Sequence, residues 1–188
     1  MDLKNKLRLS IKPNTYFYLA LLLFFVPLPW LAAWFIAVCS HELFHIVAVR
    51  LCGGEISRLD IGIGGMDMET SPLSERKRLI AILSGPAGGL LLVFLGRWLP
   101  KTALCSWMLS VYNLLPLLPL DGGRALEILL DEQPVFLIVE KVFLILLAVL
   151  ALYSVMILKL GILPVAIVAV LWARNRKIPC KEGICKVQ

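Results

Sequence analysis

Long apolar runs, separated by short charged or Pro/Gly-rich breaks, dominate the chain. The first runs from Tyr16 to Val26, after a basic arm carrying Lys4, Lys6, Arg8 and Lys12, and stops at Pro27 and Pro29. A second covers Trp30 to Leu51 and ends at Gly53 and Gly54; a third covers Leu79 to Leu99 behind the charged stretch Glu75, Arg76, Lys77, Arg78. The fourth spans Ala103 to Leu118 and the fifth Val135 to Leu158, and a shorter sixth follows Gly161 and Pro164 and closes at Trp172 against Arg174, Arg176 and Lys177. A helix needs about 20 residues to cross a hydrocarbon core of roughly 30 Å. The pattern therefore predicts an all-α polytopic membrane protein with about six transmembrane helices. The first reads as a short or tilted span rather than a signal peptide, because no good small-residue cleavage site follows it. Residues 55–70, EISRLDIGIGGMDMET, break the helical pattern. Their loose alternation around Gly62, Gly64 and Gly65 predicts a small β-hairpin at the membrane edge, able to accept a further strand.

Composition supports lipid as the solvent. Hydrophobic residues make up 60% of the chain and charged ones 17%, with a mean hydropathy of +0.86, where a soluble domain is about half apolar and a quarter charged. One membrane domain, 1–188, is expected, with a basic arm at 1–13 and a short tail at 174–188. The net charge of +6 does not point to nucleic acid, since the cations sit at the ends of apolar runs. With the N-terminus inside, the outer loops hold only Arg97, Lys101 and Lys159, and both termini are cytoplasmic. The five cysteines lack the spacing of a disulfide framework. Most are expected to be buried, inert thiols, and Cys180 and Cys185 match no strong zinc signature.

The second run contains His41, Glu42, Leu43, Phe44 and His45, the pattern HExxH. Residues four apart lie one above the other on a helix, so both imidazoles can converge on one ion. Glu42, rotated by about 100°, can reach a water on that ion. Two neutral nitrogens suit Zn²⁺, which in hydrolytic sites takes three protein ligands and one water. A pair of satisfied core histidines is the bland alternative, but two imidazoles and a carboxylate within an apolar span cost a few kcal/mol when ionised. They are also the only histidines in the chain.

A third ligand is sought in NLLPLLPLDGGR, residues 113–124. Asp121 is placed at the inner end of the fourth span, where Gly122 and Gly123 permit a tight turn that returns its carboxylate to the bundle. An equally open reading makes Asp121 the N-cap of a helix beginning near Arg124. Glu127, Asp131, Glu132 and Glu140 are rival carboxylates, each read more simply as a solvated charge near the inner surface. Asn113, Pro116 and Pro119 either free carbonyls to grip an unwound backbone or merely kink a helix.

These motifs resemble those of the site-2 protease family of intramembrane zinc metalloproteases, and within it the stage IV sporulation protein FB subgroup. HELFH at 41–45 is similar to the family's zinc motif, NLLPLLPLDGG at 113–123 to its second motif, and SGPAGG at 84–89 to a Gly-Pro signature. The resemblance implies that His41, His45 and Asp121 are zinc ligands, that Glu42 is the catalytic base, and that Asn113 and Pro119 engage substrate. It also implies a multi-pass protein of a bacterial cell membrane that hydrolyses a membrane-associated protein substrate, for instance a sigma-factor precursor or anti-sigma factor, under a membrane-protein regulator or inhibitor. Gly88 and Gly89 stand where many members have an Asn. Two readings from other classes compete: a membrane metal-ion transporter, and a catalytically inactive scaffold that binds client helices.

Overall fold

A computed structural model describes residues 8–11, 13–62, 65–130, 134–157, 165, 168–169, 171–172 and 186–187. The chain forms two compact units, Met1–Asn113 together with Gly183–Gln188, and Leu114–Glu182.

The first unit contains β1 (Arg8–Ile11), α1 (Pro13–Phe25), α2 (Leu28–Leu51), β2 (Ile56–Gly62), β3 (Gly65–Thr70), α3 (Glu75–Val93), a 3₁₀ turn at Phe94–Arg97, and α4 (Pro100–Asn113). A strand late in the chain, β4 (Lys186–Val187), also belongs to it. Proline in the first turn of α2 costs nothing, because N–H groups there have no helical partner. The helix ends in a Schellman motif: Gly53 takes φ +81°, its N–H bonds the Arg50 carbonyl at 3.0 Å, and the Gly54 N–H bonds the Val49 carbonyl at 2.9 Å. The buried face of α2 carries Ala33, Ala37, His41 and His45 at four-residue spacing. Small residues above the histidines let neighbouring helices approach closely, and α2, α3 and α4 pack on one another.

The expected hairpin is β2 with β3, antiparallel. A bulge between Ile56 and Arg58 explains why Ile56 and Leu59, three apart, are both buried. The sheet is larger than the hairpin, with strand order β1-β2-β3-β4. Part of the basic arm pairs parallel with β2, and Lys186–Val187 pair antiparallel with Met68 and Glu69 of β3. Arm and tail thus each contribute a strand too short and polar to stand out in the sequence. The sheet's buried side meets the end of α2 and the start of α3 in a core of Ala48, Val49, Ile56, Leu59, Met66, Met68 and Ala81.

Three helical stretches among the described residues are long and apolar enough to cross a membrane: Leu28–Leu51, Glu75–Arg97 and Val135–Met156. The six expected spans are not reproduced. Helices α1 and α4 have 13 and 14 residues, about 20 Å at 1.5 Å per residue. The fourth run stops at Asn113 instead of Leu118 because Pro116 and Pro119 cannot continue a helix. Most of the sixth segment, Cys180 and Cys185 lie outside the described residues. The cysteines also correct an expectation: Cys39 is exposed, and Cys52 and Cys105 are partly so. In helices whose outer faces are apolar, a cysteine needs no interior position.

The second unit contains α5 (Asp121–Leu129) and α6 (Pro134–Met156). Leu117, Leu120 and Leu171 form its buried centre, flanked by Leu115, Phe143, Leu144 and Leu147. Asp121 does not end the fourth span. It opens α5, behind Leu120 in extended conformation, which is therefore the cap position.

Candidate metal centre

His41 and His45 are 4% and 1% exposed, on the buried face of α2, and His45 lies against α3. His45 Nδ1 lies 2.8 Å from the Ala81 carbonyl oxygen. A carbonyl can only accept, so Nδ1 carries the hydrogen, and in neutral His45 the lone pair is on Nε2. This is the tautomer that a metal-binding histidine adopts when its second nitrogen is anchored by the protein.

Nε2 of His45 lies 3.2 Å from Nε2 of His41, and the rings meet edge to face at 84°. Two ligands about 2.0–2.1 Å from a tetrahedral ion are separated by about 3.3 Å. The Nε2–Nε2 separation is therefore that of two adjacent ligands on a tetrahedral metal ion.

Helix α3 sets this geometry through its backbone. Gly85 lies so close to His45 that a Cβ there would overlap the imidazole. Ser84 Oγ donates toward the carbonyl of Phe44 at 3.1 Å and that of Ala81 at 2.6 Å, tying the helices together beside the site. Ala81 and Gly85 escaped the reading of single residues, since one acts through its carbonyl and the other by lacking a side chain. The small-residue run SGPAGG was the available signal. Gly88 has a comparable role, its Cα facing the Phe44 ring.

Glu42 follows His41 on the same turn and is half-buried. Asn113 is the last residue of α4, and its Nδ2 donates to the Leu109 carbonyl at 3.1 Å. That bond gives the Leu109 carbonyl a second donor in the last turn of the helix.

In the second unit, Asp121 is 5% exposed in the first turn of α5, where a carboxylate is favoured by the helix dipole. Gly122 and Gly123 follow for a steric reason: a Cβ on either would overlap the backbone of the 114–118 stretch. Pro119 directly follows that stretch, half-buried, after a cis Leu118–Pro119 peptide. Of the rival carboxylates, Glu127 is half-buried in α5, and Asp131 and Glu132 lie outside the described residues. Glu140 contradicts its reading as a solvated charge. It is 4% exposed and accepts the Leu118 N–H at 2.9 Å.

No protein-family model matches the chain, and no curated protein does. Among solved structures, it is similar to the site-2 protease from Methanocaldococcus jannaschii, with a TM-score of 0.63 at 18% identity, covering 98% of this chain and 97% of that one. The chain has the fold of that protein.

Proposed function

We propose that this protein is an intramembrane zinc metalloprotease that hydrolyses peptide bonds of membrane-associated proteins. The observation that carries the reading is the His41–His45 pair, buried in an apolar helix with the His45 tautomer set by Ala81 and the nitrogens at the spacing of a tetrahedral edge. Its likeness in fold to a site-2 protease supports the same assignment.

His41, His45 and Asp121 would hold the metal, each offering one buried ligand atom, and His/His/carboxylate is a donor set of hydrolytic zinc sites. When bound, zinc supplies a Lewis acid that polarises the scissile carbonyl and brings a water toward neutral pKa. The chain's residues do the rest. Glu42, adjacent to a ligand on the same helix, takes the proton of the attacking water and returns it to the amine nitrogen as the C–N bond breaks. Ala81 keeps the His45 hydrogen on Nδ1, so that Nε2 needs no deprotonation. Burial in the apolar helices limits bulk water at the site, which strengthens each charge interaction within it. Asn113 and Pro119 engage the substrate backbone, Asn113 through its amide oxygen while its nitrogen serves Leu109. The substrate class we assign is a membrane-tethered sigma-factor precursor or anti-sigma factor, processed in a bacterial membrane under a membrane-protein regulator.

The test is Glu42→Gln, compared with wild type by co-expression with candidate membrane-tethered precursors and by zinc analysis of both purified proteins. Cleavage should fall by about 10²–10⁴-fold, with zinc content unchanged. Cleavage by the variant at the wild-type rate would exclude Glu42 as the base, and zinc-free wild type would exclude the metal site. Zinc uptake into liposomes without proteolysis would instead identify a transporter.

A further inference from the structure

Among the described residues, Glu140 is the buried ionisable group that the proposed chemistry does not use. It lies in α6, among residues as apolar as Phe136, Val139 and Phe143. Burying a carboxyl group in such surroundings is costly unless its oxygens are hydrogen-bonded. The single hydrogen bond it makes among the described residues is from Leu118 N–H to Oε1, at 2.9 Å.

The backbone of the 114–120 stretch explains why that bond matters. Its residues lie between α4 and α5, and beyond the last turn of α4 no helical ladder serves their N–H groups. In an apolar setting, each unserved donor costs several kcal/mol. From 116 to 120 the donors belong to Leu117, Leu118 and Leu120 alone, since Pro116 and Pro119 have none. Leu117 N–H reaches the Leu115 carbonyl, and Leu120 N–H the Leu117 carbonyl, both at 2.8 Å. Leu118 is the remaining donor, and Glu140 serves it. The prolines thus reduce the number of donors in a non-helical segment, and Glu140 accepts the one that the local turns leave over.

The same stretch is also packed closely against the start of α5. Gly122 packs against the Leu114 carbonyl and Gly123 against the Leu117–Leu118 peptide, closely enough to exclude any Cβ. Asp121, immediately before them, cannot keep its position if the stretch shifts.

We propose that Glu140 is the positioning residue for Asp121: by holding Leu118 N–H from α6, it fixes the 114–120 stretch on which the first turn of α5, and with it the Asp121 carboxylate, is seated. The ligand part of this statement rests on the metalloprotease reading above. The held stretch does not depend on it.

Glu140→Gln keeps the length and an acceptor oxygen but loses the charge; Glu140→Asp keeps the charge but falls one methylene short; Glu140→Leu loses both. Each is purified in detergent beside wild type. Amide hydrogen exchange is read by mass spectrometry for peptides covering 114–123 and, as a reference, 41–51, and zinc affinity is read by competition with a chromogenic chelator. In the Asp and Leu variants, exchange in 114–123 should accelerate by about 10-fold or more while 41–51 is unchanged, and zinc affinity should drop by about 10–100-fold, the range for residues that orient a ligand. Glu140→Gln should stay within about 3-fold of wild type in both. Unchanged exchange at 114–123 in Glu140→Asp, or equal acceleration in both peptides, would overturn the proposal as a whole. Loss in Glu140→Gln as large as in Glu140→Asp would overturn the proposal that side-chain length and an acceptor oxygen suffice to hold the Leu118 N–H. Should Glu140→Leu fail to fold, the Gln and Asp variants carry the comparison alone. Wild type that binds no zinc would refute the metalloprotease reading and the ligand role together, while the exchange pattern would still decide whether Glu140 holds the stretch.

Discussion

Helices α2 and α6 are both long and apolar, and both bury ionisable side chains against a backbone group of another segment. In α2 the partner is a carbonyl, Ala81, which takes the hydrogen of His45 Nδ1 and leaves the other nitrogen beside His41. In α6 the partner is an N–H, that of Leu118, and it takes up the one hydrogen bond Glu140 makes among the described residues. The difference separates two uses of costly polarity in an apolar helix. A group anchored at one end with a second ligating atom beside another donor is arranged for a ligand. A group whose hydrogen bonding ends in the protein's own backbone is arranged to hold the chain.

Removing the ligand-facing group should break the comparison most severely. His45→Ala deletes one of the nitrogens and leaves the Ala81 carbonyl without this donor. Zinc affinity should fall by more than about 100-fold, beyond the range seen when only an orienting partner is lost, and cleavage should disappear with it. Chelator treatment of wild type should abolish cleavage in the same way, with recovery on adding zinc back. A His45→Ala protein that retained stoichiometric zinc, measured by atomic emission after dialysis, would show that α2 holds a structural histidine pair and no metal.

The next effect concerns the neighbour that shapes the pair. Gly85→Ala places a methyl group into the His45 ring. In a helix interior, that replacement by itself stabilises by about 0.5–1 kcal/mol. A fall in zinc affinity therefore reads the collision rather than helix propensity, and about 10–100-fold is expected. Gly96→Ala is the control, since its new methyl would meet only Ala103 at an ordinary 3.5 Å. Equal effects from the two would mean that Gly85 has no special relation to His45.

The two regions also differed in how far the sequence disclosed them. HExxH was legible because helical periodicity alone brings His41 and His45 to one face, so local chemistry and local geometry coincide. The hairpin at residues 55–70 was legible for the same reason, through period-two alternation and its glycines. What holds those residues was not. Ala81 contributes a carbonyl, Gly85 an absence, and Glu140 a contact spanning 22 residues to a backbone N–H. None of these has a pattern in the neighbouring sequence. Glu140 looked like a surface charge because it lies near the end of an apolar run, where charges are usually solvated. The length of α4 was overestimated because hydropathy continues through Leu114–Leu118 although two prolines forbid the helix. Strands β1 and β4 have four and two residues, and only pairing with the hairpin gives them structure.

The smallest effect is expected where polarity is exposed. Arg58 and Asp60 pair on β2 at 2.9 Å, with side chains 46% and 19% exposed. The hydrogen bond to Asp60, then its charge, raises the Arg58 pKa above the ordinary arginine value. A raised cation contributes its stability below the unfolded-state pKa and loses it only as pH climbs through the folded value. For an arginine raised further above its already high ordinary value, that loss lies above any pH at which the protein would be assayed, so the guanidinium gives stability no pH dependence in the working range. Exposed pairs gain little because water and salt screen them and two side chains must be ordered. Asp60→Asn should therefore leave Tm unresolved from wild type in low and high salt, and zinc affinity within about 2-fold. A loss matching that of Gly85→Ala would show that the sheet's exposed charges act on the metal site, and that backbone anchoring is not what distinguishes the buried groups of α2 and α6 from the rest of the chain.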